Sequence, residues 1–114
     1  MNNLDWNTLP IIDWELGMRL AGNQSDLAED MIAMLKKTLP DEFAEIKNHA
    51  ALRNYNDLLR CVHKLHGAAS YCGTPRLKAL LAVIEMRLKH ESKENEIDGL
   101  IVELDSVVDA VSKS

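Results

Sequence analysis

The densest group of reactive side chains is the run Arg60-Cys61-Val62-His63-Lys64-Leu65-His66-Gly67. A neutral imidazole is a nitrogen nucleophile and a metal ligand near physiological pH, so the direction in which these histidines point decides what they can do. At ~100° per residue, Leu58, Val62, Leu65, Ala69 and Cys72 fall on one stripe in steps of four and three, the pattern of a core-facing helix seam. His63 then lies roughly 140° from the middle of that seam, on a side shared with Asn56, Arg60, Gly67 and Ser70. Gly67 follows one turn later, where glycine costs a helix roughly 1 kcal/mol relative to alanine. On the outer face it does not serve packing across the seam. The missing Cβ instead leaves clearance for another molecule to approach the His63 ring. A water-facing imidazole with free space beside it suits chemistry carried out between two proteins.

The elements that must hold this histidine read as helices throughout. The chain has three Pro and five Gly and no β-branched runs. Residues 1–10 read as an extended lead-in. Asp13 caps a short helix over 14–21, ended by Gly22. Ser25 caps a second, with Asp26, Glu29 and Asp30 near the positive end of its dipole and Leu27, Met31, Met34 and Leu35 as its apolar stripe. Leu39-Pro40 breaks or kinks that helix, and Pro40 suits the first turn of the next, which turns Phe43, Ile46 and Ala50 inward. Asn54 caps the histidine helix, which runs to about Cys72 and is stopped by Gly73. Thr74-Pro75 restarts the chain as N-cap and first helical residue, with Leu77, Leu80, Leu81, Ile84 and Leu88 inward. Ser92 opens the last helix, which buries Ile97, Leu100, Ile101, Leu104, Val108 and Val111. Short connections make sequential helices antiparallel neighbours.

The expected fold is therefore all-α and a single domain over 1–114. It has a lead-in over 1–12, N-terminal helices over 13–39, and an antiparallel up-down four-helix bundle over 40–113, built from helices 40–52, 54–72, 75–91 and 93–112. The first short helix, with Trp6 and Trp14 near it, caps one end of the bundle. A chain of 114 residues with 46% hydrophobic and 27% charged content has an ordinary globular composition. The net charge of -5 argues against a nucleic-acid partner. There is no apolar run of the ~18 residues that a membrane-spanning helix needs, and the Met1-Asn2-Asn3-Leu4-Asp5-Trp6 opening lacks the basic and apolar regions of a signal peptide. Cys61 and Cys72, placed on one helix, would stand ~16 Å apart, too far for a disulfide. They read as reduced thiols of a cytoplasmic protein.

With these elements in place, the run His63-Lys64-Leu65-His66-Gly67, followed by Gly73 at the helix end, resembles the signature of histidine phosphotransfer (HPt) domains, His-x-Leu-Lys-Gly. The longer run through Tyr71-x-Gly73-x-Pro75-Arg76 is similar to the C-terminal HPt module of BarA/GacS-type hybrid sensor histidine kinases, as are Leu4-Asp5-Trp6 and Asp26-Leu27-Ala28-Glu29-Asp30-Met31. The resemblance implies a phosphorelay. A receiver-domain aspartyl phosphate gives its phosphoryl group to Nε2 of His63, which passes it to the aspartate of a response regulator. It implies that Lys64, His66 and Gly67 support His63, and that Leu59, Arg60 and Ser70 belong to the surface on which receivers dock. It implies no intrinsic cofactor, with Mg²⁺ supplied by the receiver. The chain itself is then a cytoplasmic phosphocarrier and not an enzyme, without direct membrane contact. It is either a free-standing phosphotransmitter or, as the likeness favours, the C-terminal domain of an inner-membrane sensor kinase. With no long apolar stripe left over once the bundle is built, it is expected to be a monomer. One position departs from the pattern: His66 stands where the family has lysine. A histidine is only partly charged near neutral pH, so phosphate stabilisation is expected to be weaker or pH-dependent, with Lys64 or Arg60 sharing it.

Two other classes of function compete. His63 and His66 at i, i+3 could supply half of a zinc site, although Cys61 points elsewhere and no Glu-x-x-His motif accompanies any histidine. A helical adaptor or dimerisation module would show the same core seams. His49 and His90 read as surface residues.

Overall fold

Apolar residues in helical register account for every long element of the chain. The structure, a computed structural model, describes residues 3–90 and 94–114. A 3-10 helix, Asn3–Thr8, precedes five α-helices: α1 (Trp14–Leu20), α2 (Ser25–Ala51), α3 (Tyr55–Ala69), α4 (Pro75–Lys89) and α5 (Glu94–Ser112). α2 and α4 each pack against both α3 and α5, which closes a four-helix ring. The connections over 52–54 and 70–74 are short enough that sequential helices must be antiparallel neighbours. The α3 seam is buried as read, with Leu58, Val62, Leu65 and Ala69 all sealed from solvent. It meets Leu39 and Ile46 of α2, Leu77, Leu80, Leu81 and Ile84 of α4, and Ile97, Leu104 and Val111 of α5 in one core.

Several expectations are corrected. Residues 25–51 form one helix that continues through Pro40, so the expected boundary at 39/40 falls inside an element. Proline in a helix interior costs about 3 kcal/mol. Pro40 faces solvent, while Leu35, Leu39, Phe43 and Ile46 are buried on either side of it. Each such side chain contributes roughly 1.5–3 kcal/mol, so together they outweigh the lost hydrogen bond. Continuity also moves the apolar stripe. One seam, Ala28-Ile32-Leu35-Leu39-Phe43-Ile46-Ala50, serves the whole helix, and it leaves Leu27 and Met34 exposed. The lead-in is not extended throughout: its 3-10 helix lies on α4 and buries Trp6, whereas Trp14 is half exposed.

The caps are mixed. Asp13 Oδ1 accepts from Leu16 N–H at 3.0 Å, as expected. Ser25 is the first residue of α2 and Gln24 holds the N-cap position; Asn54 and Thr74 hold theirs without a side-chain capping bond. Ser92, the expected start of the last helix, lies outside the described residues.

α3 ends at Ala69 and not at Cys72, because the next residues form a turn tied to the N-terminal segment. Asp13 N–H donates to Gly73 O at 2.8 Å, and Arg76 Nε donates to Leu9 O at 2.6 Å. Thr74, fully buried, donates its hydroxyl to Ala69 O. Gly73 was expected to terminate the helix by backbone freedom; the structure gives it another task. A Cβ there would collide with the Asp13 carbonyl and stand 2.8 Å from Gly17 N. The glycine is needed because α1 lies directly on it. The left-handed glycine is Gly22, at φ 64°. Cys72 sits in this turn, buried, and Cys61 is half-buried on α3; both thiols are free, and burial pushes both up from their ordinary value.

The Gly73 contact predicts that Gly73→Ala destabilises the fold by about 1–3 kcal/mol, as an overpacked site does. Gly99→Ala, at a helical glycine with open space around it, stabilises by up to about 1 kcal/mol. Denaturant unfolding of the two variants checks the opposite signs.

Candidate functional site

The seam of α3 faces the core, so the opposite side of that helix carries His63 into solvent with 71% of its side chain exposed. One of its ring nitrogens is met from the neighbouring helix. His63 Nδ1 is 2.8 Å from Oε2 of Glu85 on α4. Glu85 is nearly buried, at 8% exposure, and Lys89, one turn further along α4, places its ammonium 3.1 Å from the same oxygen. Burial pushes the Glu85 carboxyl upward, but the hydrogen bonds from His63 and Lys89 outweigh it and hold the group below the usual carboxylate range. An ionised carboxylate only accepts hydrogen bonds, which assigns the ring proton to Nδ1. In the neutral imidazole the lone pair is then on Nε2, on the side of the ring turned away from Glu85. The arrangement is that of a nucleophile with its orienting group.

The other residues singled out from sequence fall into place unequally. Gly67 is exposed, and a Cβ at that position would meet nothing within 4 Å. Leu59 and Arg60 line a shallow depression together with His63, Glu85 and Lys89. Arg60 pairs with Asp57 on its own helix at 3.3 Å. Lys64 extends toward Glu42 of α2, at 3.9 Å, on the flank away from α4. His66 is turned inward, with 26% of its side chain exposed, and its Nδ1 stands 3.5 Å from Glu85 Oε1. Ser70 donates its hydroxyl to His66 O at 2.8 Å and, with His66, borders a separate groove between α1, α3 and α4. His90 is exposed; His49 is half-buried, and its Nδ1 has no hydrogen-bond partner.

Glu85 and Lys89 were not anticipated. The signal available for Glu85 was its position: it follows Leu77 and Leu81 in steps of four, at the edge of the α4 seam, where a carboxylate is out of place unless something meets it. Among the described residues no cluster of three or more His, Cys, Asp or Glu side chains is set up to hold a metal ion, and none of the helices is long and apolar enough to cross a membrane.

Comparison with known proteins bears on this site directly. The Hpt domain family model matches residues 30–114. The signal transduction histidine-protein kinase BarA of Escherichia coli (strain K12) is 34% identical over 113 residues, covering 99% of this chain and 12% of that protein. The sensor histidine kinase GacS of Pseudomonas protegens is 43% identical over 83 residues, covering 73% of this chain and 9% of that protein. The chain thus spans roughly a tenth of the length of the curated relatives it matches. The crystal structure of the HPT domain from a Shewanella hybrid histidine kinase has a TM-score of 0.83 at 31% identity, covering 90% of this chain and 88% of that one. A match that takes in the histidine helix and the whole four-helix ring, with the same fold found in a solved relative, establishes that the chain belongs to the Hpt domain family of histidine phosphotransfer modules.

Proposed function

We propose that His63 is the phospho-accepting residue, taking a phosphoryl group at Nε2 from a receiver-domain aspartyl phosphate and handing it to the aspartate of a response regulator. The observation that carries this reading is the bond from His63 Nδ1 to Glu85, which in the neutral ring leaves the lone pair on Nε2, turned away from Glu85 on a side chain that is 71% exposed. In the forward step the Nε2 lone pair attacks phosphorus. The bond from phosphorus to the aspartyl oxygen breaks, and its electron pair leaves with the aspartate carboxylate. No base is needed, since Nε2 has no proton to lose. The ring becomes cationic while keeping its Nδ1–H, and the Glu85 carboxylate stabilises that developing charge. Glu85 is on this account a positioning residue. Transfer to the second receiver reverses these events.

The receivers bring their own acidic pocket and Mg²⁺, and this chain brings an oriented nitrogen with clearance around it. It carries the phosphoryl group, and the kinase chemistry belongs to other domains of a parent sensor protein. We further propose that the domain is monomeric, acts on the cytoplasmic side of the membrane without touching it, and meets both receivers through the α3–α4 face around Leu59 and Arg60.

Three outcomes are expected. His63→Gln melts like the unchanged protein and takes up no acid-labile label from a charged receiver domain. Label on His63→Gln moves the site to another histidine, and no label on either protein with several receivers favours a helical adaptor. Gly67→Ala raises stability by about 0.5–1 kcal/mol, as expected for an exposed helix glycine, yet slows phosphotransfer, because a methyl group enters the approach to the ring. A variant that is more stable and equally fast refutes the clearance argument.

Glu85 supplies the third. Its carboxyl lies below the ordinary value in the folded chain. Its contribution to stability is therefore present above the unfolded value of about 4.3 and is lost as the pH falls through the folded value. Glu85→Gln flattens that acid limb of the stability profile and slows transfer at neutral pH; urea titrations from pH 3 to 7 and single-turnover transfer rates measure the two effects.

A further inference from the structure

The cations that sequence places around His63 are engaged elsewhere in the fold. Lys64 reaches toward Glu42 on α2, and Arg60 is paired with Asp57. His66, at the position where the Hpt pattern carries lysine, turns its Nδ1 toward Glu85. Lys89 of α4 is different. Its ammonium lies 3.1 Å from Glu85 Oε2, the oxygen that also meets His63 Nδ1 at 2.8 Å. Lys89 and His63 border the same depression, and 58% of the Lys89 side chain is exposed.

We propose that Lys89 is the counter-cation of the phosphorylated histidine, moving from the Glu85 carboxylate to the phosphoryl oxygens when His63 is charged. The inference rests on His63 being the acceptor. Charge accounting gives the direction of the move. The nucleophile is the neutral ring, and while the ring is neutral the negative charge of Glu85 is balanced by Lys89. When Nε2 forms its bond to phosphorus and the aspartyl oxygen departs with its electron pair, the ring gains a positive charge and retains its Nδ1–H. Glu85 then faces a cationic ring in contact with it, while a group of about two negative charges has appeared on the far side of the same ring. An ammonium on a flexible four-carbon stem, with three donors, exchanges one oxygen acceptor for another by side-chain rotation alone. The new N–H···O–P contacts are charge-assisted and strong. Lys89 thus does from the neighbouring helix what the pattern's lysine, replaced here by His66, does from the histidine helix.

The test uses the full chain, unchanged and as Lys89→Gln and Lys89→Arg. Each is mixed with a receiver domain that has been charged with acetyl phosphate and then freed of it. The share of phosphoryl group on His63 at equilibrium is measured, together with the pH titration of its ³¹P resonance. Lys89→Gln is expected to lower that share about three- to tenfold and to move the phosphoryl titration to higher pH, with Lys89→Arg retaining most of both. Equal shares and equal titrations for Lys89→Gln and the unchanged protein overturn the proposal. A fall in share that Lys89→Arg does not repair, with no displacement of the ³¹P titration, also overturns it, since that marks disturbed support of Glu85. If the unchanged protein takes no label, the acceptor reading fails and this inference with it, an outcome distinct from failure of Lys89 alone.

Discussion

A carboxylate shut away from water must be met by donors, and the packing of α3 on α4 makes that possible for Glu85. An uncompensated buried charge costs several kcal/mol. Glu85 is kept ionised because one of its oxygens is met from two directions, by the His63 ring across the helix interface and by Lys89 on its own helix. Two properties of the site descend from this one pairing: which ring nitrogen is turned to Glu85 and holds a proton, and which is turned away from it. The pairing in turn depends on the seams beneath it. Leu58, Val62 and Leu65 on α3 and Leu81 and Ile84 on α4 are sealed in the core, and they set the rotation of each helix about its axis.

The legible part of the molecule was that which local periodicity controls. The direction of His63 followed from the stripe opposite it, and the exposure of Gly67 followed from its place one turn on. Glu85 was hidden because its partner lies 22 residues away and because a carboxylate at the margin of a helix seam looks, in sequence, like the start of the solvated face. Lys89 was hidden with it, since a lysine in the last turn of a helix already has a reason to be there in the helix dipole. The orientations of Lys64 and His66 were equally out of reach: both flank His63 in sequence, yet one turns toward α2 and the other toward α4.

Pro40 and Gly73 show tertiary structure overruling a local rule, each in a different way. At Pro40 the cost of proline in a helix interior stands and is outweighed by the side chains buried on both sides of it. At Gly73 the rule that glycine ends helices misplaces the end, since α3 stops at Ala69 and the glycine is required by the close approach of Asp13 and Gly17. The turn is tight because residues 9–17 are laid across it, joined by the bonds of Asp13 to Gly73 and of Arg76 to Leu9. The N-terminal segment is thereby part of the mounting of α3 and α4 and not an appendage to the ring.

The exposed position of His63 bears on the timing of a relay of the proposed kind. One nitrogen on one open face admits one visitor at a time, so donor and acceptor cannot form a ternary assembly over it and must take turns. Throughput is then capped by how long the first visitor lingers, and residence time is the quantity through which affinity between related complexes chiefly varies. A shallow, open surface depression, in place of a deep cleft, favours brief occupancy. In that sense the flatness of this site works as a clock, setting how soon the nitrogen is free for the next partner.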